Sequence, residues 1–367
     1  MTGQPIRIGI IGAGSVMQGG YLAQLQRLRG RGLVELVIAA DRHADRRDLI
    51  QGLGIPRFTT DAREVLDDPA VDLVVILTSN PSHAKLAAGA LERGKHVLVE
   101  KPMATTLAEA DHLVELAERA PGLLLCAPHV ILSPTFQTIW WRLKRGEIGR
   151  VHLARARYGW AGPTWTRWFY EAGGGALFDV ALYNVTALTA LLGPVRRVVA
   201  MTGVAVPDRL VAGEPIVGQV EDNAHVLLDF GDVTFASVSA GFTMQQYRNP
   251  AIELYGSTGT IQMLGDDWAP QGHEVWQREV GAWRSYKDLD PGWAWTDGLR
   301  HLVDCIRDGT NPLISPRHAR HVLEVVLAAK EAAQTGRAQA IATTFDAIDF
   351  APPADDEPVH LMHDLRR

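Results

Sequence analysis

A run of β-branched residues, Ile6-Arg7-Ile8-Gly9-Ile10-Ile11, stops at Gly12-Ala13-Gly14 and passes into helical spacing through Tyr21, Leu22, Leu25 and Leu28. A chain that repeats this alternation has few folds open to it. Further apolar runs follow at residues 33–40, 71–77, 96–99 and 122–126, with helical patterns at 81–93 and 106–119. Strands that are apolar without alternation are buried on both faces, and strands interleaved with helices form a doubly wound parallel sheet. Ligands of such a sheet sit beyond the carboxyl ends of its strands.

The first turn has the strand, turn and helix context of a dinucleotide fingerprint. Gly12 serves the tight turn and Gly14 the close approach of backbone to a pyrophosphate, whose charge meets the N–H groups and positive end of the helix. Gly12, Ala13, Gly14, Ser15 and Val16 are therefore expected cofactor contacts. Met17 stands at the third glycine position, which predicts looser packing of helix on strand. Asp41 ends the second run, placed to accept hydrogen bonds from ribose hydroxyls and to repel a 2′-phosphate. NAD is thus expected, with NADP the alternative because Arg42, Arg46 and Arg47 follow and could grip that phosphate. Thr78-Ser79-Asn80-Pro81, with His83 just beyond, and Glu100-Lys101-Pro102 lie at two more strand ends and are expected to face the cofactor.

At 367 residues, with 47% hydrophobic and 21% charged residues, the chain suits two soluble globular domains. A formal charge of −6 argues against nucleic acid or an acidic membrane as partner. Cys126 and Cys305 are too few for a disulfide framework or a cysteine-rich metal site, and His318 and His321 do not make a metal site either. No metal is expected. Residues 1–11 read as a strand and no apolar run approaches membrane-spanning length, so a cytoplasmic protein is expected.

After residue 126 the pattern changes. A helix at 133–145 leads into alternating segments at 151–158, 195–202, 222–230, 233–239, 251–255 and 260–263, separated by turns such as Phe230-Gly231-Asp232. These predict a mostly antiparallel open sheet in an α/β second domain. Helices at 295–307 and 316–335 follow. The expected domains are 1–126 for NAD(P) binding, 127–345 for substrate binding and oligomerisation, and 346–367 as a C-terminal tail.

The glycine turn, Asn80-Pro81-Ser82-His83, residues 94–102 ending in Glu100-Lys101-Pro102, Gly146-Glu147-Ile148-Gly149, and Gly173-Gly174-Gly175 followed by Asp179 occur in one order. In this the chain resembles the Gfo/Idh/MocA family, named for glucose-fructose oxidoreductase, inositol dehydrogenase and rhizopine catabolism, over residues 5–340. The resemblance implies an N-terminal Rossmann domain, a C-terminal α/β domain whose open sheet mediates homodimers or homotetramers, and oxidation or reduction of sugars, cyclitols and related alcohols with NAD(P). Tyr183 stands where the commoner family pattern has histidine, and Ala181 where it has glycine. Tyrosine there resembles the glucose-fructose oxidoreductase and dihydrodiol dehydrogenase branches.

Asp179 and Tyr183, four apart on a helix expected over 172–192, would project from one face. Tyr183 is expected to take the proton of a secondary alcohol while hydride leaves for nicotinamide. A free phenol ionises near pH 10, so Lys101 would supply the charge that favours phenolate and a hydrogen bond to the substrate oxygen. Asp179 would orient substrate or Lys101. Aromatics at Tyr158, Trp160, Trp165, Trp168, Phe169 and Tyr170 suit a polyhydroxylated ring, and Trp165, Trp168, His129 and Asn184 join Lys101, Asp179 and Tyr183 as expected substrate contacts. Two other functions share these residues: an NAD-dependent glycoside-cleaving enzyme working by transient oxidation and elimination, and a non-catalytic dinucleotide-sensing regulator.

Overall fold

The computed structural model describes residues 3–351 apart from 249, 289, 291 and 292. Two compact units form: the residues up to His129 together with Trp295–Arg320, and Val130–Ala294 together with His321 onward.

The first unit is built on six parallel strands, β1 Ile6–Ile11, β2 Val34–Ala40, β3 Arg57–Thr59, β4 Leu73–Ile76, β5 His96–Val99 and β6 Leu124–Cys126. Their order is β3-β2-β1-β4-β5-β6, and every neighbouring pair is parallel. This is the doubly wound Rossmann arrangement, with its order reversing between β1 and β4. β4 is buried at every residue, as a strand covered on both faces must be. The helix Leu107–Arg119 begins at a capping box in which Thr106 and Glu109 satisfy each other's backbone N–H.

Met17 corrects one expectation. Its side chain is fully buried, and the helix opens there with a π-turn over Met17–Tyr21. The wider turn makes room for the methionine, so the missing third glycine is filled rather than left loose.

The helix Gly298–Asp308 was expected in the second domain but packs in the first unit. Gln24 Nε2 donates to Asp297 Oδ1 at 2.8 Å, and the Trp295 ring lies edge-on to Tyr21 in the space that Gly20 leaves by lacking a Cβ.

The second unit carries a nine-stranded sheet of β7 Val151–Gly159, β8 Arg197–Gly203, β11 Asn223–Gly231, β12 Thr234–Gly241, β13 Ile252–Gly256, β14 Gly259–Asp266, β15 Ala269–Gln277, β16 Trp283–Tyr286 and β17 Gln339–Ala340. β9 Asp208–Val211 and β10 Glu214–Val217 form a separate hairpin. The large sheet runs β16-β15-β14-β13-β7-β12-β11-β8-β17, and only the β7–β12 pair is parallel. Alternation sends Ala154, Ala156, Val198, Val226, Leu228, Ala236 and Val238 inward, and the helix Leu182–Leu192 packs against β7 and β12. The other face exposes Leu153, Val199, Met201, Leu227 and Phe235. The expected tail begins inside this unit, with Phe350 buried edge-on to Phe136 and Trp140. Residues 352–367 of that tail lie outside the described residues.

Candidate active site

The first unit gathers its expected contacts at the carboxyl ends of β1, β2, β4 and β5. Gly12 has a φ of +101°, and a Cβ there would lie 2.6 Å from the Leu77 carbonyl oxygen, so only glycine fits. A Cβ on Gly14 would meet nothing within 4 Å. The first helical hydrogen bond runs from Gln18 N–H to Gly14 C=O at 3.1 Å, which leaves the N–H groups of Ser15, Val16 and Met17 without a helical acceptor. Ser15 and Val16 are exposed. Half-buried Asp41 lies beside this turn, its Oδ2 accepting from Ala13 N–H at 2.7 Å and its Oδ1 from His43 N–H at 2.9 Å. Open space over glycine, orphan N–H groups and a carboxylate at the strand tip fit the pyrophosphate and ribose of a dinucleotide. Arg42 is exposed, with Nε donating to His43 Nε2.

Thr78 and Ser79 are half-buried, Asn80 is buried and Pro81 exposed. His83 departs from its expected role as a cofactor contact. Its ring is buried, with Nδ1 and Nε2 each 2.8 Å from a carbonyl oxygen, those of Pro102 and Thr78. Each ring nitrogen lies against a backbone carbonyl oxygen and the neutral ring donates to one of them, so the residue packs between the Thr78 segment and the Lys101-Pro102 segment. Burial pushes its imidazole toward the neutral form.

Lys101 is half-buried, and its backbone N–H donates to Glu100 Oε2 at 3.1 Å. Glu100 is itself buried and accepts from the Tyr21 hydroxyl at 2.8 Å. His129 was expected to touch substrate, but it is a core residue of this unit. Its ring fills the space left by Gly298, where any Cβ would overlap it, and its Nε2 lies 3.3 Å from the Tyr21 hydroxyl. Burial, then the neighbouring His301, lowers its pKa from 6.5 to about 3.

In the second unit, Gly174 and Gly175 let the chain turn tightly into the helix that carries Asp179 and Tyr183. A Cβ on Gly174 would lie 2.5 Å from the Trp168 and Phe169 carbonyl oxygens, and one on Gly175 would overlap the Glu221 carboxylate. Glu221 sits at the start of that helix, with Lys330 Nζ at 3.5 Å. This helix also opens with a π-turn, Leu177–Ala181, before the regular turns of Leu182–Leu192. Four residues fall within about 40° of a full turn in either geometry, so Asp179 and Tyr183 stay on one face.

Both side chains are half-buried. The Tyr183 ring stands edge-on to Tyr158, centroids 5.3 Å apart, and Tyr158 stacks on Trp268 at 6.3 Å. Burial foremost, then the charges of Asp179, Asp267 and Asp266, hold the Tyr158 phenol protonated well above the ordinary range. Tyr158 was visible in the sequence only as one of several aromatics, although its place in an alternating strand was a usable signal. Asn184 is fully buried and its Nδ2 donates to Asp267 Oδ2 at 2.6 Å, so the expected substrate contact is a core amide. Burial raises the Asp267 pKa from 3.8 to about 7. Trp165, 51% exposed, stacks on Trp160, and Trp168 stacks on Phe169, in a cluster closed by Phe242. Among the described residues no group of three His, Cys, Asp or Glu side chains could hold a metal ion.

A sequence model of the oxidoreductase family with an NAD-binding Rossmann fold, GFO/IDH/MocA, matches residues 6–127, and the model of the GFO/IDH/MocA C-terminal domain matches residues 136–262. The chain is 26% identical to 1,5-anhydro-D-fructose reductase of Ensifer adhaerens, over 92% of this chain and 99% of that one. It is 22% identical to myo-inositol 2-dehydrogenase of Thermotoga maritima, over 90% and 97%. In structure it is similar to a levoglucosan dehydrogenase solved with NADH and levoglucosan, with a TM-score of 0.82, 22% identity, and coverage of 92% of this chain and all of that one.

Proposed function

The chain belongs to the Gfo/Idh/MocA family of NAD-binding oxidoreductases, and we propose that it transfers hydride between a secondary alcohol of a sugar, cyclitol or glycoside and nicotinamide. The observation that carries this reading is the division of labour between two touching phenols. Burial foremost, with nearby carboxylates, holds the Tyr158 phenol protonated, while half-buried Tyr183, on the same helix face as Asp179, is the phenol assigned to the substrate hydroxyl.

The dinucleotide, when bound, supplies the carbon that takes or returns the hydride. The N–H groups of Ser15, Val16 and Met17 hold its pyrophosphate, and Asp41 accepts from ribose hydroxyls, which favours NAD over NADP. Tyr183 Oη takes the proton of the alcohol. Lys101 donates a hydrogen bond to the alcohol oxygen, and its positive charge favours the phenolate. Asp179 orients the substrate. Trp165 and Trp168 offer aromatic faces to a sugar ring.

The exposed sheet face supports a homodimer or homotetramer. Met201 is 79% and Leu227 60% exposed, Leu227 pairs with Val199, and Leu153 pairs with Phe235. Exposed large apolar side chains gathered on one sheet face are what a second copy of the chain covers. The formal charge of −6 supports a reading without nucleic acid, and no described helix is long and apolar enough to cross a membrane. A cytoplasmic location accords with both.

The test is a panel of sugars, inositols and aryl glycosides with NAD or NADP, followed at the nicotinamide absorbance. Steady growth of reduced cofactor with wild type and its loss in Lys101→Ala support the reading. Unchanged turnover in Lys101→Ala removes it. Sedimentation of a Met201→Glu, Leu227→Glu variant tests the assembly, which is expected to fall to monomer.

A further inference from the structure

Behind Lys101 lies a buried polar chain that joins Glu100 of its motif to Tyr21 and His129. Tyr21 is fully buried, and its hydroxyl is 2.8 Å from Glu100 Oε1 and 3.3 Å from His129 Nε2. The other oxygen of Glu100 accepts the Lys101 backbone N–H. A phenol has one proton and a carboxylate only accepts, so Tyr21 gives its proton to Glu100 and receives one from His129. His129 is then the tautomer protonated on Nε2. Its Nδ1 is buried with no hydrogen-bond partner, as suits a lone pair better than an N–H. Two glycines clear space for these rings: a Cβ on Gly20 would overlap Trp295, which stands edge-on to Tyr21, and a Cβ on Gly298 would overlap His129.

We infer that Tyr21 and His129 are positioning residues for Lys101, through the directed chain His129 to Tyr21 to Glu100 to the Lys101 amide. The inference rests on the reading of Lys101 as a catalytic residue. The chain fixes the Glu100 carboxylate from one side, and that carboxylate fixes the backbone from which the lysine side chain projects. Tyr21→Phe keeps the ring against Trp295 and removes only the hydroxyl.

The experiment is a double-mutant cycle in the full-length protein, with the panel sugar or cyclitol that turns over fastest, joined to ¹⁵N NMR of labelled histidine. Tyr21→Phe is expected to lower kcat about tenfold, the order lost with one hydrogen bond to a charged group, with the KM for NAD unchanged. In a Lys101→Met background it is expected to cost nothing further. Wild-type His129 is expected in the Nε2-protonated tautomer.

An unchanged kcat in Tyr21→Phe, or the same fractional loss with and without Lys101, overturns the inference alone. So does an Nδ1-protonated His129, a measurement on wild type that stands even if the variant fails to fold. Wild-type turnover in Lys101→Met overturns the reading of Lys101 as well.

Discussion

Asn184 Nδ2 donates to Asp267 Oδ2 at 2.6 Å, and neither side chain has appreciable exposed surface. Trp268, next in the chain, stacks on Tyr158, and Tyr158 touches Tyr183. The buried acid thus sits at the base of the aromatic group that presents the proposed proton acceptor.

That burial has a consequence for pH dependence, because His129 is shifted the opposite way. Asp267, raised from 3.8 to about 7, contributes stability that is present below its unfolded value and lost as pH rises toward 7. His129, lowered from 6.5 to about 3, contributes stability present above 6.5 and lost as pH falls toward 3. Between roughly pH 4 and 6.5 the two slopes oppose each other, each on the order of 1.4 kcal/mol per pH unit. Asp267→Asn is therefore expected to destabilise progressively more than wild type on acidification across that window, and His129→Gln progressively less. Urea melts from pH 4 to 7 measure it, and parallel profiles for all three proteins would contradict it.

Gly12 and Gly14 are expected to fail in different ways when changed to alanine. Gly12→Ala forces a positive φ and a backbone clash, which costs at least about 2 kcal/mol of stability. Gly14→Ala adds a methyl to open space and is expected to leave the melting temperature within a few degrees. Its methyl stands where the pyrophosphate approaches, so the Kd for NADH is expected to rise about tenfold or more. Calorimetry and fluorescence titration of both variants separate the effects. Normal NADH affinity in Gly14→Ala would remove this turn from the cofactor site.

Much of the first unit was legible because buried parallel strands leave uninterrupted apolar runs. The exceptions are short or polar. β3 is three residues long and begins with Arg57, and in the second unit the β9–β10 hairpin exposes most of its residues, so neither leaves an apolar pattern. The return of Trp295–Arg320 to the first unit could not be read, since an amphipathic helix does not state which sheet it covers. The same limit applies to His129 and Asn184. A polar residue near a motif looks alike whether it faces a ligand or a core, and what decides it here, Gly298 for one and Asp267 for the other, is remote in the chain. Lys101, Asp179 and Tyr183 are proposed from motif order, which carries no information about the Tyr21, Tyr158 and Glu221 side chains behind them.

Asp41 is expected to set the choice of dinucleotide. Asp41→Ser removes the carboxylate that would repel a 2′-phosphate while leaving exposed Arg42 in place. The ratio of kcat/KM for NAD to that for NADP is expected to fall at least about tenfold, the order of one charge-assisted contact. An unchanged ratio would mean that the ribose is read elsewhere.

Tyr183 is the proposed group that takes the proton, and the most direct measurement is the turnover of Tyr183→Phe beside its affinity for NADH. Removing that hydroxyl is expected to lower kcat by roughly 10²- to 10⁴-fold, the range of general base catalysis, with NADH binding unchanged. A kcat within about twofold of wild type, with NADH bound normally, would contradict it.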